Sequence, residues 1–370
     1  MKIKRRQSKL KLAQQETQDA INKTNERIND LGIHTNELYA ALADIQEVFD
    51  RIRNVPSDKK IEYDKLKEIR LNWKQQAEKI EKDYNVAKAK QAGAGAAGAS
   101  FGVAVAAMGP TAAMGVATTF GVASTGTAIS SLSGAAATNA ALAWLGGGAV
   151  AAGGGGMAAG EAVLALAGPI GWAIAACSLI ACGFFIWKGI VDKRHIEDVF
   201  TLISERDVKS YELAIVEINE RVFRIDNETE RLNKANERIT SFGTDYIKMT
   251  EAQQYELGTY VNLMLSSTQL LVNPILGLQP KYSEIDYNDY LSWREEPFKD
   301  SDDSRIENLI ICLCNLLYKI ELNDRDKKLL RKSLKKNKEM LKKLGVKKKN
   351  VSSDVISIVI DALNYKYEEI

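Results

Sequence analysis

Charge is missing from one long part of the chain, residues 91–187, where Glu161 is the sole charged side chain. Lysine, arginine, aspartate and glutamate crowd both flanks, and the formal net charge of the whole chain is +2. A stretch without charge avoids water, and it fits either a bilayer, which needs about 20 apolar residues per helical crossing, or the interior of a helical bundle. The length of this apolar stretch favours the bilayer, and an Ala/Gly core between soluble helices is the alternative.

Patterns of catalytic and metal-binding residues are also scarce. The chain has 2 histidines, and His34 and His195 lack the spacing of a metal site or of an acid-base pair. Gly93, Gly95 and Gly98 spell GxGxxG, but they follow a lysine-rich helix and not a strand. We therefore predict no enzyme, no catalytic residue, no metal, no cofactor and no small-molecule substrate. The 4 cysteines lie in apolar runs, which is typical of small buried hydrophobes: Cys177, Cys182, Cys312 and Cys314.

A cleavable secretory signal is not predicted either, because the basic residues 1–11 are not followed by an apolar region. We expect synthesis in a cytoplasm. The chain then associates with a membrane, or exists in a soluble form that converts to a membrane-inserted one.

The clearest membrane signal is at residues 169–187, which are long enough to span hydrocarbon and have Trp172 and Trp187 near the ends and Lys188 just beyond. Isoleucine, leucine and phenylalanine there favour insertion by about 3 kcal/mol in total. The residues predicted to enter the bilayer are the bulky apolar ones of the stretch: Phe101, Val103, Trp144, Leu164, Leu166, Trp172, Ile174, Leu179, Ile180, Phe184, Phe185 and Trp187.

The rest of the apolar stretch is rich in alanine and glycine. Residues 92–116 insert only marginally alone, so they need close helix packing through small residues spaced four apart, such as Gly98 and Gly102. Glu161 is predicted to line a pore or to sit at an interfacial helix end. Two glycine clusters are poor helix formers and are predicted as hinges: Gly146, Gly147, Gly148, Gly153, Gly154, Gly155 and Gly156.

Basic residues stand on both sides of the apolar stretch, with Lys88 and Lys90 before it and Lys188, Lys193 and Arg194 after it. Positive charge collects on the cytoplasmic side of membranes, so both ends are expected on one side. The number of crossings is then even, two or four.

The flanking arms have the pattern of coiled-coil helices. In residues 1–90, apolar and threonine residues recur at steps of three and four from Ile21 to Ile52, and a turn at Pro56 predicts an antiparallel hairpin with a second helix. In residues 192–275 the same spacing runs from Ile215 to Ile239, and Val199, Leu202 and Leu213 precede it. The sequence therefore predicts an all-α fold, an elongated bundle with a long hydrophobic insert at residues 91–191.

Residues 276–370 are predicted to form a small C-terminal helical domain. Residues 279–304 show no helical period and are predicted as a linker or irregular cap, whereas an apolar helix, a basic helix and a last helix follow. The basic helix fits a solvated face, an anionic lipid surface or, less well, nucleic acid, which we do not expect as a partner. Its candidate lipid-facing residues are Lys327, Lys328, Arg331, Lys332, Lys335 and Lys336.

Long amphipathic helices on both sides of a hydrophobic insert resemble the α-helical pore-forming toxins of the cytolysin A and haemolysin BL type. The resemblance is architectural, covers residues 20–272 and rests on no short motif. It implies that residues 92–187 correspond to the membrane-inserting head and that the arms form the helical bundle. The insert is several times longer than a simple toxin tongue, and residues 276–370 have no counterpart.

We therefore expect a membrane-active helical protein, a pore-forming or membrane-disrupting toxin or effector of bacterial competition or antiphage defence. Its expected partners are a lipid bilayer and further copies of itself or a partner coiled coil. Two alternatives stay open: a non-toxic, membrane-anchored coiled-coil scaffold, and a soluble helical bundle that buries the insert.

Overall fold

A computed structural model of the chain describes residues 9–92, 110–120, 193–278, 281–282, 284–294, 304–336, 341, 346–348, 351 and 354–368. These residues form helices and no β-strand, which confirms the predicted all-α fold. Short 3-10 turns lie at Tyr246–Lys248 and Leu276–Leu278. The helices are α1 (Lys9–Asp50), α2 (Ser57–Ala92), α3 (Pro110–Phe120), α4 (Lys193–Thr240), α5 (Glu251–Val272), α6 (Glu284–Trp293), α7 (Ser304–Leu317), α8 (Asp324–Lys336) and α9 (Val355–Tyr367).

The two longest helices, α1 and α4, lie side by side and run parallel. Near their beginnings, the Thr17 hydroxyl donates to the carbonyl oxygen of Ser204 at 3.2 Å. Past their ends, the Arg53 backbone N–H donates to the carbonyl oxygen of Thr244 at 2.9 Å. Residue numbers thus rise together along both helices, so α1 and α4 share one seam over the length of α1.

The predicted seam residues fill that interface. On α1 the pattern residues from Thr24 to Ile45 are buried, and on α4 every second position of the pattern is fully buried: Ile28, Leu31, Thr35, Leu38, Leu42 and Ile45 from α1, and Ile218, Ile225, Leu232 and Ile239 from α4. Leu202 and Leu213, which precede this pattern in the sequence, are exposed and lie outside the seam. At 100° per residue Leu213 lies about 140° around the helix from Ile218, so it faces outward.

Helix α2 folds back on α1 as an antiparallel hairpin, as the turn at Pro56 predicts. Asn54 takes a left-handed conformation with φ 61°, which asparagine tolerates better than most residues. The Tyr63 hydroxyl donates to Asp50 at 2.8 Å, and Trp73 packs against Tyr39 with 5.6 Å between ring centroids. Burial alone would raise the pKa of Asp50, but the hydrogen bonds from Tyr63 and from a lysine outweigh it and hold the pKa below its usual value.

Helix α5 runs back along α4. Arg238 pairs with Glu256 at 3.1 Å near the turn, and Glu217 accepts the backbone N–H of Gly277 at 2.8 Å at the other end, so the two helices are antiparallel. Thr250 and Gln253 form a reciprocal capping box that starts α5. Within the part of the chain that the structure describes, one helical stretch, Glu251–Leu278, is long and apolar enough to cross a membrane, and half of its apolar window is buried in the bundle.

Helices α6 to α9 surround a second hydrophobic core, to which the first turns of α4 contribute Val199, Phe200 and Ile203. The prediction of an irregular segment at residues 279–304 is wrong, because α6 lies inside it. Its buried face is made of tyrosines at a spacing of three, Tyr287 and Tyr290. Aliphatic residues do not repeat along this segment, so aliphatic periodicity does not predict the helix.

Three helix ends meet at one end of the bundle. Tyr39 of α1 faces Trp73 of the antiparallel α2, so Ala92, 19 residues further along α2, is level with about residue 20 of α1. The contact between Thr17 and Ser204 places the beginning of α4 at the same end. Both flanks of the apolar stretch therefore leave the bundle on one side, next to the C-terminal core.

Candidate functional site: a piece of the apolar stretch inside the bundle

Helix α3 is the part of the apolar stretch that the structure describes at length, and it lies inside the bundle. It packs against α1, α2 and α5 and runs antiparallel to α1. It is short and built of small residues, so it fits in the space between three long helices. Its buried residues are Ala112, Ala113, Met114, Gly115, Ala117, Thr118 and Thr119.

Two glycines let the backbones of α1 and α3 touch. A Cβ atom added at Gly32 of α1 would lie 1.7 Å from the carbonyl oxygen of Thr111, and one added at Gly115 of α3 would lie 2.0 Å from the carbonyl oxygen of Ile28. Real Cβ atoms do not come that close to an oxygen. The α1–α3 contact therefore requires glycine on both helices, which is the small-residue packing that the sequence predicts elsewhere in the stretch.

The end of α3 is tied to the chain after α5. The backbone N–H of Ile275 donates to the carbonyl oxygen of Thr119 at 2.8 Å. The Thr119 hydroxyl donates to the carbonyl oxygen of Gly115 at 2.7 Å within α3. Helix α3 is thus held at its middle by glycine contact and at its end by a backbone hydrogen bond.

Polar atoms without hydrogen-bond partners lie on α3 and on two of the helices that pack against it. Thr35 Oγ1, Thr118 Oγ1 and Trp73 Nε1 are buried and have no partner among the described residues. Each such atom costs about 1–3 kcal/mol. Burial of three alanine methyl groups and Met114 of α3 contributes about 4–5 kcal/mol, and the unpaired Thr118 hydroxyl of α3 reduces that gain.

Arg70 reinforces the neighbouring α2–α5 contact from a buried position. Its guanidinium donates to the Gln46 side chain and, at 3.4 Å, to the Thr268 hydroxyl. Burial lowers the pKa of Arg70 to about 10. Arg70 therefore ties α2 to α1 and to α5 as a buried cation with two polar partners.

Residues 110–120 differ from the prediction that the stretch meets lipid, because these residues are covered by protein. The physical reason is their composition: an alanine- and glycine-rich helix gains little from lipid and packs closely against other backbones. The other membrane-inserting candidates from Phe101 to Trp187, the glycine hinges from Gly146 to Gly156, and Glu161 lie outside the described residues and stay predictions.

The basic helix α8 uses its apolar face for the protein itself. Leu329, Leu330 and Leu334 are buried in the C-terminal core. Of the candidate lipid-facing residues, Lys327, Arg331 and Lys335 are partly buried, and Lys327 pairs with Asp324 at 3.6 Å. Lys328, Lys332 and Lys336 are exposed and spaced four apart, so they form one cationic row on the surface of α8. Contact of α8 with lipid stays a prediction, and the fully exposed cations available for it are those of this row.

His34 takes part in a cluster that the sequence did not predict. Its Nδ1 lies 2.5 Å from the Asp226 carboxylate on α4, and its Nε2 lies 3.9 Å from Asp30. His34, Glu37 and Asp226 present ligand atoms within 4.8 Å of one another, so the three could hold a cation. Asp226 is distant in sequence, and only the parallel pairing of α1 and α4 brings it to His34.

The thiols of the C-terminal core are buried, as predicted. Cys312 and Cys314 are free cysteines, and burial raises the pKa of the Cys314 thiol well above its usual value. A thiol in that state is a poor nucleophile and a poor metal ligand.

Comparison of the chain with protein-family models, with curated proteins and with solved structures found no match.

Proposed function

We propose that this chain is a membrane-active helical protein that stores part of its apolar stretch, as α3, inside its own bundle and releases it to a bilayer. The observation that carries the proposal is the position of α3. An apolar helix from the first third of a long, almost uncharged stretch lies between charged amphipathic helices, held by backbone contact at Gly32 and Gly115.

The energetics of the α3 site support release. Helix α3 gains little from apolar burial, because most of its buried side chains are small, and its unpaired Thr118 hydroxyl costs about 1–3 kcal/mol. A bilayer that takes up the apolar stretch supplies a few kcal/mol, which is enough to shift such an equilibrium.

The positions of the two helix ends that flank the apolar stretch support its delivery to one surface. The last turn of α2 and the first turn of α4, which flank the apolar stretch, lie at the same end of the bundle as the C-terminal core. By resemblance to α-helical pore-forming toxins, we propose that released stretches associate into a pore or otherwise disrupt the membrane.

A second candidate function is a bundle that keeps α3 permanently and acts as a soluble interaction protein. The burial of Ala113, Ala117 and Thr119 on α3 favours it, since α3 completes a continuous hydrophobic core. The two candidates differ in one measurable respect, which is whether α3 must leave the bundle for the protein to act.

A disulfide between α3 and the α5–α6 connection tests this difference. Thr119 and Ile275 are joined by a backbone hydrogen bond, so Thr119→Cys with Ile275→Cys, in a chain whose four native cysteines are alanine, is expected to form a bridge. We expect the oxidised protein to release little dye from anionic liposomes and the reduced protein to release it. The cysteine-free chain, treated identically, is the control. Equal release by the oxidised and reduced forms, or none by the unmodified protein, contradicts the proposal.

A pair of substitutions on α3 gives an independent measurement that needs no disulfide. Thr118→Val removes a buried hydroxyl without a partner, so it should stabilise the bundle by about 1 kcal/mol or more and slow dye release. Thr119→Val removes a hydroxyl that donates to Gly115, so it should destabilise by about 0.5–1.5 kcal/mol and hasten release. Stability is measured by urea unfolding, and release by the rate of dye leakage. If the more stable variant does not leak more slowly and the less stable variant does not leak faster, α3 need not leave the bundle.

A further inference from the structure

Four large apolar side chains on the outer face of α4 are uncovered. Leu202, Leu213, Val216 and Phe223 expose 53%, 65%, 64% and 67% of their surface, and they are named here the α4 stripe. At 100° per residue they fall within an arc of about 80°, on the side of α4 away from the seam with α1. The stripe is about 32 Å long. Apolar residues aligned over such a length are typical of a helix that pairs with another helix.

Two charged residues of opposite sign lie within the α4 stripe. Lys209 and Glu220 are exposed and fall on the same arc as the leucines and Phe223. The ion pair of Glu220 with Arg224 is 3.8 Å long, and both side chains are more than half exposed, so it contributes little. The Glu220 carboxylate is thus accessible to a second cation.

Four of these residues, Lys209, Leu213, Val216 and Glu220, are placed symmetrically about one point of the helix. Lys209 precedes Leu213 by four residues, and Glu220 follows Val216 by four residues. A two-fold axis midway between Leu213 and Val216 therefore brings Leu213 of one copy against Val216 of the other. The same axis brings Lys209 of each copy against Glu220 of the other.

We propose that the α4 stripe is a contact surface for a second copy of this chain, in an antiparallel arrangement with two-fold symmetry. Self-complementary charge along an apolar stripe is what an isologous contact requires. A parallel pair in register would place Lys209 opposite Lys209 and Glu220 opposite Glu220, which is repulsive. An anionic lipid surface would attract Lys209 but repel Glu220.

The contact fits a reversible dimer. A single helix pair whose stripes overlap over about 26 Å buries less than an obligate interface, so we expect a dissociation constant in the micromolar range. The charge pairs fix register and direction more than they add affinity. The proposal concerns the protein before any membrane step, and it does not rest on the proposed function.

Sedimentation of the full chain over about 1–100 µM, without lipid, tests the dimer. We expect the unmodified protein to change from monomer to dimer over that range. Lys209→Glu and Glu220→Lys should each weaken the dimer about tenfold or more, because each disrupts two symmetric pairs. The double variant Lys209→Glu with Glu220→Lys should restore the dissociation constant to within about threefold, since it exchanges the charges and keeps the register.

Two further variants make the test independent of net charge and of folding. Glu237→Lys alters an exposed carboxylate of α4 outside the stripe and should leave the dimer unchanged. Leu213→Asn with Val216→Asn should abolish it, while helix content by circular dichroism stays the same because both side chains are already exposed. A monomer at every concentration, single reversals without effect, or a double variant as weak as the single ones would overturn the proposal. So would vesicle binding that is lost in the asparagine variant while sedimentation is unchanged, because the stripe would then be a lipid surface.

Discussion

At the scale of single residues, Gly32 and Gly115 set the distance between α1 and α3. Neither position has room for a Cβ atom, because a carbonyl oxygen of the other helix occupies that space. The free volume at Gly258 on α5 is different, since a Cβ there would meet nothing within 4 Å. The three helical glycines therefore differ in their tolerance of substitution, although nothing in their local sequence distinguishes them.

Gly32→Ala is expected to displace α3, and Gly258→Ala is its matched control. The first substitution forces the two backbones apart and should lower the free energy of unfolding by about 1–3 kcal/mol. The second improves helix propensity without a clash and should raise it by about 0.4–1 kcal/mol. Urea unfolding of both variants measures the difference. Destabilisation of the same size at both sites would show that α3 does not touch α1 at Gly32.

The apolar residues of the arms show how far single-sequence reasoning reaches at this scale. Ile28, Leu38 and Ile45 could be predicted as buried, because a regular three-four spacing defines one face of a helix. Leu213 precedes the α4 pattern, and its helical angle places it off that face. The contact of His34 with Asp226 could not be predicted, because it depends on which helices are neighbours and in which direction they run.

At the scale of helices, α8 shows how an amphipathic pattern can be satisfied within the protein. Its leucines belong to the C-terminal core, so its cations reach outward only through Lys328, Lys332 and Lys336. Helix α6 shows the opposite case, a helix that the sequence failed to predict because tyrosines form its buried face. A hydrophobic pattern of helical period predicts a helix reliably when the repeated residues are aliphatic. The pattern does not indicate which element packs against the apolar face of that helix.

Replacement of the α8 row by glutamine, at Lys328, Lys332 and Lys336, is expected to weaken binding to anionic vesicles. Each lysine near such a surface contributes about 1 kcal/mol, so the loss is about a hundredfold and should shrink as salt is raised. A matched control removes the same charge from α2, at the exposed Lys60, Lys65 and Lys82. Co-sedimentation with vesicles measures both sets. If the two triple variants lose affinity equally, net charge and not the α8 row is responsible.

At the scale of the whole molecule, α4 belongs to both hydrophobic cores. Phe200 and Ile203 are buried in the C-terminal core, whereas Ile218 to Ile239 line the seam with α1. Arg206 strengthens the junction, since its guanidinium donates to the carbonyl oxygens of Leu316 and Tyr318 at 2.9 and 2.6 Å. The sequence predicted the C-terminal helices as a separate small domain, and it could not indicate that α4 completes their core.

Removal of residues 279–370 is therefore expected to expose apolar surface at the start of α4. The shortened chain should bind a hydrophobic dye and aggregate, because Phe200 and Ile203 lose their cover. Phe200→Ser with Ile203→Ser should restore solubility to the shortened chain. The same pair in the full chain should lower the free energy of unfolding by several kcal/mol. Dye fluorescence measures dye binding by the shortened chain, and light scattering measures its aggregation. A soluble shortened chain that binds no dye would contradict this account.

The parallel course of α1 and α4 makes the bundle a rigid spacer. Helix α4 has 48 residues and is about 72 Å long, and the turns at Pro56 and at Tyr246–Lys248 lie at the end opposite to the flanks of the apolar stretch. Whatever binds those turns stays roughly two bilayer thicknesses away from the place where the stretch emerges. A receptor or antibody can thus hold the molecule by its far tip without obstructing the end where α2 finishes and α4 begins.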